Sequence, residues 1–591
     1  MRAFCKISIA PAISAQIDSQ PQANDHYLIR VKDAHAHLFE VTLEATVVAN
    51  QPLRCALPAW IPGSYMIREF ARHLRAPLFE SGGKTIQGHK VDKHSWTVTP
   101  TTQSLRITYT VYAWDLSVRA AHLDASHGFF NGSSLFLQVE NRTDEACELT
   151  IVAPPSQIQG NWRVATTLKP IKVNAAGFGQ YLAANYDELI DHPVEMGSFV
   201  ETRFDVLNTP HRAIFSGVCD VDFDRLKQDL SNICSAQIAL FEPITKQAPF
   251  SEYLFMTQVV SDGYGGLEHR SSTALICARQ DLPFKRMQGT PKGYVQFLGL
   301  CSHEYFHSWN VKRIKPAAFK PYDLSQENYT QLLWLFEGFT SYYDDLILLR
   351  SGVINIQTYL GLLSATITKV LQESGRLEQS VAQSSFDSWI KYYRQDENSA
   401  NSIVSYYTKG SLIALCLDLS IRQLSNETRS LDDVMRALWQ LPNGLGESDF
   451  SSIVKTATGL DLHEEIIQWT QSTQDLPLQT LTEAAGFSWT ETREPTPDTG
   501  MRLVQRGQDL VITVCHEARP AQRAGLSAHD MIVAVDGLKV NADQFRSYLA
   551  RKQIGDSIRI HVFRRDELQV VDLKLGEPAL AWIKLSRAGI E

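Results

Sequence analysis

From about Tyr27 to Phe204 the chain alternates apolar and polar residues in short runs broken by proline and glycine. Runs such as Leu38 to Val48 and Leu105 to Tyr112 are rich in β-branched and aromatic residues, and a period of two predicts an antiparallel all-β domain. Ala59 to Tyr65 holds too many turn formers to begin a helix and predicts a structured loop. Between Thr209 and Thr290 the pattern is mixed, with a helix near Phe223 to Leu240 and strands at Tyr253 to Val260 and Ser272 to Cys277. From Lys292 to about Trp469 the period lengthens to that of helices, over Tyr294 to Trp309, Thr330 to Leu349, Ile354 to Ser374 and Gly410 to Leu424. Pro495 to Gly500 reads as a linker, and strands return after it at Leu510 to Val514, Ile558 to Phe563 and Gln569 to Leu573, with a helix at Ala542 to Leu549. The pattern predicts a multidomain α+β protein. Its parts are a β-sandwich-like domain over 1–205, a small sheet with many helices over 206–485, and a small β-rich domain over 490–580.

Composition changes this picture little. A length of 591 residues exceeds what one core supports, and 44% hydrophobic with 20% charged residues describes a globular chain with sizeable cores. A net charge of -9 leaves no basic excess for phosphate backbones, so nucleic acid is not an expected partner. No run approaches the length of a membrane span, so no membrane partner is expected either. Nine scattered cysteines without a CxxC pair predict neither a disulfide framework nor a thiolate metal site, and fit reduced thiols in the cytoplasm. Met1 to Ala15 is a weak export signal, because its apolar stretch is short and holds Pro11. A cytoplasmic location is the expectation.

The chemistry concentrates in Cys301 to Asn310, which contains His303-Glu304-Tyr305-Phe306-His307. On a helix, positions i and i+4 share a face, so His303 and His307 can direct two imidazoles at one metal ion. Glu304 stands beside the first ligand, where a carboxylate reaches water at the metal without coordinating. That layout suits Zn²⁺ hydrolysis with Glu304 as general base. A third ligand is needed. Glu337 is the best candidate, a lone carboxylate in an apolar helical pattern, costly to bury unless paired or bound to metal. On residues alone it could equally face solvent, as could Asp344 and Asp345.

Trp334-Leu335-Phe336-Glu337-Gly338-Phe339 resembles the second-helix signature of zinc peptidases whose third ligand is a glutamate. His303 to Pro316, the loop Trp60 to Phe70, Trp114-Asp115 and Asp124 to Asn131 all resemble the glycyl aminopeptidase family. The resemblance implies an N-terminal β domain, a thermolysin-like catalytic domain and a PDZ domain. The last fits Pro520 to Leu526 followed by Asp530 to Gly537, which resembles a PDZ domain in its own right. Compared with the larger aminopeptidase N relatives, the gap between His307 and Glu337 is longer, and Lys315 to Asn328 reads as an extended loop.

Gly263 to His269 lies between predicted strands, where an edge strand can hold an extended peptide through its main chain. Gly265 and Gly266 permit close approach of the substrate backbone. The segment resembles the G-x-M-E-N of aminopeptidases, with Leu267 and His269 replacing methionine and asparagine, which implies that Glu268 binds the substrate α-amine. Tyr407-Thr408-Lys409-Gly410 resembles the Tyr-x-Lys-Gly segment whose tyrosine donates to the tetrahedral oxyanion, with Tyr406 as the neighbouring alternative. Together these imply an aminopeptidase with one Zn²⁺ per chain, acting on peptides with a free N-terminus and a small first residue, Gly or Ala. A peptide or protein C-terminus could occupy the PDZ domain. Two alternatives remain open: a zinc endo- or oligopeptidase with PDZ-guided capture, and an inactive PDZ-containing scaffold.

Overall fold

The protein is described from a computed structural model, covering residues 25–155, 158 and 160–587. The candidate export signal at Met1 to Ala15 lies outside the described residues.

The N-terminal region is all β. Its largest sheet has eight strands, in the spatial order Lys169–Val173, Gly179–Ala183, Cys147–Ile151, Asp25–Asp33, Leu38–Thr46, Ser104–Tyr112, Leu74–Ser81 and Lys84–Ile86. Strict alternation builds it: in Ser104–Tyr112 the residues Leu105, Ile107, Tyr109 and Val111 are buried. The expected antiparallel pairing holds except where Asp25–Asp33 runs parallel to Cys147–Ile151.

The central sheet has five strands: β1 (Phe199–Val206), β2 (Thr209–Ser216), β3 (Tyr253–Val260), β4 (Tyr264–Glu268) and β5 (Ser272–Ala278). Their spatial order is β1-β2-β3-β5-β4. β2, β3 and β5 run parallel, while β4 pairs antiparallel with β5 and forms an open edge. The β1–β2 hairpin straddles position 205, where the sequence pattern put a domain boundary, so β1 belongs to this sheet. Helices pack around it: α1 (Phe223–Phe241), α2 (Lys292–Phe306), α3 (Gly338–Arg350), α4 (Ile356–Gln372) and α5 (Thr408–Leu424). Asp222 and Asn355 start α1 and α4 by accepting the backbone N–H of Arg225 and Thr358. The helix expected over Thr330 to Leu349 is interrupted: Leu333–Phe336 is a short turn, and α3 begins after Glu337.

The two cores interpenetrate. Ile214, Leu254, Met256 and Leu267 of the central sheet pack into the N-terminal core, while Trp60 and Tyr65 of the loop predicted at Ala59 to Tyr65 sit in the helical core. A buried ion cluster adds to the joint. Asp191 accepts from Lys312 Nζ at 2.6 Å and from the Arg270 N–H at 3.1 Å, with His269 Nδ1 at 3.5 Å.

At the C-terminal end, five strands from Met501 to Lys574 and a helix at Ala542–Leu549 enclose a core containing Leu510, Ile512, Phe545 and Val562. Flanking it, Phe487–Arg493 pairs with Leu580–Arg587 as a ribbon laid on α4. Ile583 N–H donates to Thr368 Oγ1 and Leu585 N–H to Ser364 Oγ, both at 2.9 Å. Among the described residues no helix is long and apolar enough to cross a membrane.

Candidate active site

α2 is buried on almost every face: Tyr294, Phe297, Leu298, Cys301, Tyr305 and Phe306 all lie in the core. Its polar residues therefore face an internal cleft. His303 and His307 stand one turn apart at its C-terminal end, with their Nε2 atoms 3.0 Å apart. Glu337 meets them from the break before α3, its Oε2 lying 3.2 Å from His307 Nε2 and 3.7 Å from His303 Nε2. The far nitrogens are held by the protein. His303 Nδ1 is 2.9 Å from Asp344 Oδ2, and His307 Nδ1 is 2.8 Å from the Asn310 carbonyl. Asn310 Nδ2 in turn donates to the Phe336 carbonyl at 3.0 Å, tying the histidine helix to the segment that delivers Glu337.

Burial opposes ionisation of Glu337, but His307 and His303 hold its carboxyl at about 2. Burial likewise disfavours a charged His303, yet the Asp344 and Glu337 hydrogen bonds raise its pKa well above the ordinary imidazole value. Two imidazoles and one carboxylate, converging with their other atoms already committed, form a donor set that fits a divalent metal ion.

Two further carboxylates face the same space. Glu304 is 4% exposed with Oε2 unpartnered, and burial pushes its pKa up to about 7, with Glu268 adding and His303 opposing. Glu268, also 4% exposed, carries an unpartnered Oε1. Oxygens of Glu268 and Glu304 and a nitrogen of His307 lie within 4.8 Å of one another. Orphaned buried carboxylate oxygens are costly and mark places where a ligand completes the hydrogen bonding. Glycines make room for them. A Cβ on Gly266 would stand 2.0 Å from Glu304 Oε1, and one on Gly63 would stand 2.5 Å from Glu268 Oε1.

Tyr407 enters through a helix crossing. A Cβ on Gly338 would lie 2.6 Å from the Gly410 backbone, so α3 and α5 touch main chain to main chain just after Glu337 and just after Tyr407. The Tyr407 ring lies 6.4 Å from that of His303, and its hydroxyl is 3.4 Å from that of Tyr393. Tyr406, fully buried, packs instead at 4.8 Å on Tyr392.

Comparison with known proteins places the chain in a family. Family models match the N-terminal domain of peptidase M61 over residues 26–198, the M61 glycyl aminopeptidase over 296–413, and a PDZ domain over 497–575. The crystal structure of an aminopeptidase N family protein from Idiomarina loihiensis is 39% identical, covers 95% of this chain and 98% of its own, and superposes with a TM-score of 0.91. The chain belongs to the M61 glycyl aminopeptidase family. An M1 zinc metallopeptidase from Deinococcus radiodurans is also similar, at 12% identity and a TM-score of 0.49, over 78% of this chain and 97% of its own. No curated protein matches the sequence.

For a family of peptidases, the cleft brings together every residue singled out in the sequence: His303, Glu304, His307, Glu337, Gly265, Gly266, Glu268 and Tyr407. It also contains residues the sequence pattern passed over. Asp344 was grouped with solvent-facing acids, although it follows Glu337 by seven positions, two turns along the same helix face. Asn310, three residues after His307, carried no motif of its own. Arg119 comes from a turn of the N-terminal region, and the loop of Gly63 and Tyr65, marked in the sequence only as a structured loop resembling the family, reaches Glu268 in the folded chain.

Proposed function

We propose that the protein is a zinc aminopeptidase removing small N-terminal residues, glycine or alanine, from peptides. The observation that carries this reading is the unpartnered, buried Glu268 carboxylate beside the His303, His307 and Glu337 group. Zn²⁺ held by these three residues supplies a Lewis acid that acidifies water and polarises a peptide carbonyl.

The chain's own groups do the rest. Glu268 accepts the substrate α-ammonium, which sets the cut one residue from the N-terminus. Arg119 already holds the Gly266 carbonyl, so the remaining edge groups of β4 take the substrate backbone. Glu304 accepts a proton from the attacking water and returns it to the leaving amine. Tyr407 donates to the oxygen that becomes negative in the tetrahedral adduct, and burial keeps its phenol protonated. Support for a small first side chain comes from aromatic packing beside Gly63: the Tyr65 ring contacts Phe319, Trp389 and Tyr393 with centroids 5.9, 6.0 and 6.2 Å away. Tyr65 follows Gly63 by two residues, and Gly63 abuts the Glu268 carboxylate, so this packed cluster begins close to it.

A panel of aminoacyl-p-nitroanilides, with and without chelator, tests the reading. Glycyl and alanyl substrates should be cleaved fastest and chelator should abolish the activity. Cleavage confined to internally quenched peptides with blocked N-termini would point instead to an endopeptidase.

A further inference from the structure

Two arginines, one on the loop of Gly63 and one beside β4, form no ion pair among the described residues. Arg68 lies on the loop that carries Gly63, and its guanidinium reaches only Ser64 Oγ. Arg119 donates from Nη2 to the Gly266 carbonyl at 3.3 Å, and its Nε is buried without a partner. Its Nη1 lies 3.9 Å from where a Cβ on Gly265 would stand, so the guanidinium sits against β4. The two charges also feel each other. Burial lowers the Arg68 pKa, Arg119 lowers it further, and Tyr393 and Asp115 offset part of this.

Half-buried cations without counter-charges are costly, and several arginines of this chain are paired, Arg142 with Asp25, Arg350 with Asp432 and Arg422 with Asp418, while Arg313 is satisfied by three carbonyls instead. Arg68 and Arg119 have neither arrangement in full: Arg68 reaches one hydroxyl, and the buried Arg119 Nε keeps a donor that an anion could take. The site thus carries both signs of charge within a short stretch of β4, with Glu304 against Gly266, Glu268 against Gly63, and the Arg119 guanidinium on the Gly266 carbonyl. A short peptide likewise carries both, an ammonium at one end and a carboxylate at the other. Gly266 fixes the scale, since its carbonyl touches Arg119 and its Cα abuts Glu304. At roughly 3.3–3.6 Å per extended residue, a carboxylate within reach of Arg119 belongs to the first or second residue after the cut.

We propose that Arg68 and Arg119 bind the free C-terminal carboxylate of the substrate, which makes dipeptides and tripeptides the preferred substrate class. This rests on the aminopeptidase reading above and adds the other end of the substrate to it. The test compares kcat/KM for Gly-Ala and Gly-Ala-Ala with their C-terminal amides, using the zinc-loaded full chain. The native protein should prefer the free acids by about tenfold or more, the size of one or two charge-assisted hydrogen bonds. Arg68→Met and Arg119→Met should bring acid and amide close to parity, and Arg119→Lys should keep part of the preference. Because Arg119 also braces β4, the native acid-to-amide ratio and the Arg68→Met variant carry the decision if the Arg119 variants unfold. Parity in the native protein, or a preference that survives in Arg68→Met, overturns the proposal while leaving the aminopeptidase reading in place. Cleavage of neither acid nor amide, with cleavage of an N-acetylated peptide, overturns both.

Discussion

Among the described residues two groups of two histidines and one acid have donor atoms within 4.8 Å: His303, His307 and Glu337 in the cleft, and His122, Asp124 and His127 in the N-terminal β domain. Their surroundings differ. In the cleft the two imidazoles stand nearly perpendicular, at 85°, and each has its Nδ1 tied back so that the Nε2 atoms converge. In the β domain the His122 and His127 rings stack at 4.9 Å, and His122 stacks in turn on Trp114 at 4.8 Å. Asp124 is already spent: its Oδ1 accepts from the N–H groups of Ser126 and His127 and from Ser126 Oγ, and its Oδ2 lies 3.2 Å from His122 Nε2. Burial pulls the His127 pKa down to about 4, as for a packed, neutral ring. Residue types alone do not make a metal centre. What matters is that the donor atoms converge with a carboxylate free to join them; His122 Nδ1 and His127 Nε2 are unpartnered, but Asp124 is committed to its own turn.

That contrast is open to test. The largest effect is expected for Glu304→Gln, which should lower kcat by about 10²–10⁴ while zinc content, measured by atomic absorption, stays unchanged. Tyr407→Phe should cost about 10²–10³ in kcat, and Tyr406→Phe far less; equal losses in the two would remove Tyr407 from the oxyanion role. Asp344→Asn should weaken zinc affinity about 10–100-fold in a chelator competition, whereas His127→Ala should leave zinc content as it was. Asp124→Asn should act on stability alone, lowering it by about 1–3 kcal/mol in urea unfolding with no change in metal content.

A third type of buried acid is read through pH instead. Glu195 is bonded to Ser216 Oγ at 2.6 Å and Gln258 Nε2 at 3.2 Å, and burial pushes its pKa from 4.5 up to about 8 against those two bonds. A carboxyl with a raised folded pKa stabilises fully below its unfolded value, and that contribution is lost as pH rises through the folded value. The melting temperature should therefore fall between about pH 5 and pH 8, and Glu195→Gln should flatten that slope; an unchanged slope would mean Glu195 is ionised in the fold.

Much of the fold was legible because periodicity follows burial. The strand at Tyr253–Val260 and the helix at Ala542–Leu549 lie where the pattern put them. The break at Glu337 was not legible, because it accompanies the contact of Gly338 with Gly410, a tertiary approach between segments about seventy residues apart that leaves no periodic trace. The i, i+4 histidines could be read directly, whereas Glu337, Glu268 and Tyr407 needed a family resemblance to single them out from similar residues nearby. Gly63 lay in a loop that turn content and family resemblance marked without giving it a role, and Arg119 carried no signal, since their meaning depends on a loop and a turn of one region reaching the site of another.

The ribbon formed by Phe487–Arg493 and Leu580–Arg587 has a mechanical consequence. The PDZ domain is joined to the helices by its incoming and outgoing strands at once, and Asn401 clasps it again through the Cys515 carbonyl and the Glu517 N–H, each at 2.9 Å. A module on a single tether samples a sphere of positions; one suspended between two paired strands resists both swing and twist. Cutting the chain at Pro495 to Asp498 would sever one strand and still leave the other zipped in place. The domain is mounted like a bracket, and whatever surface it presents is presented at one angle.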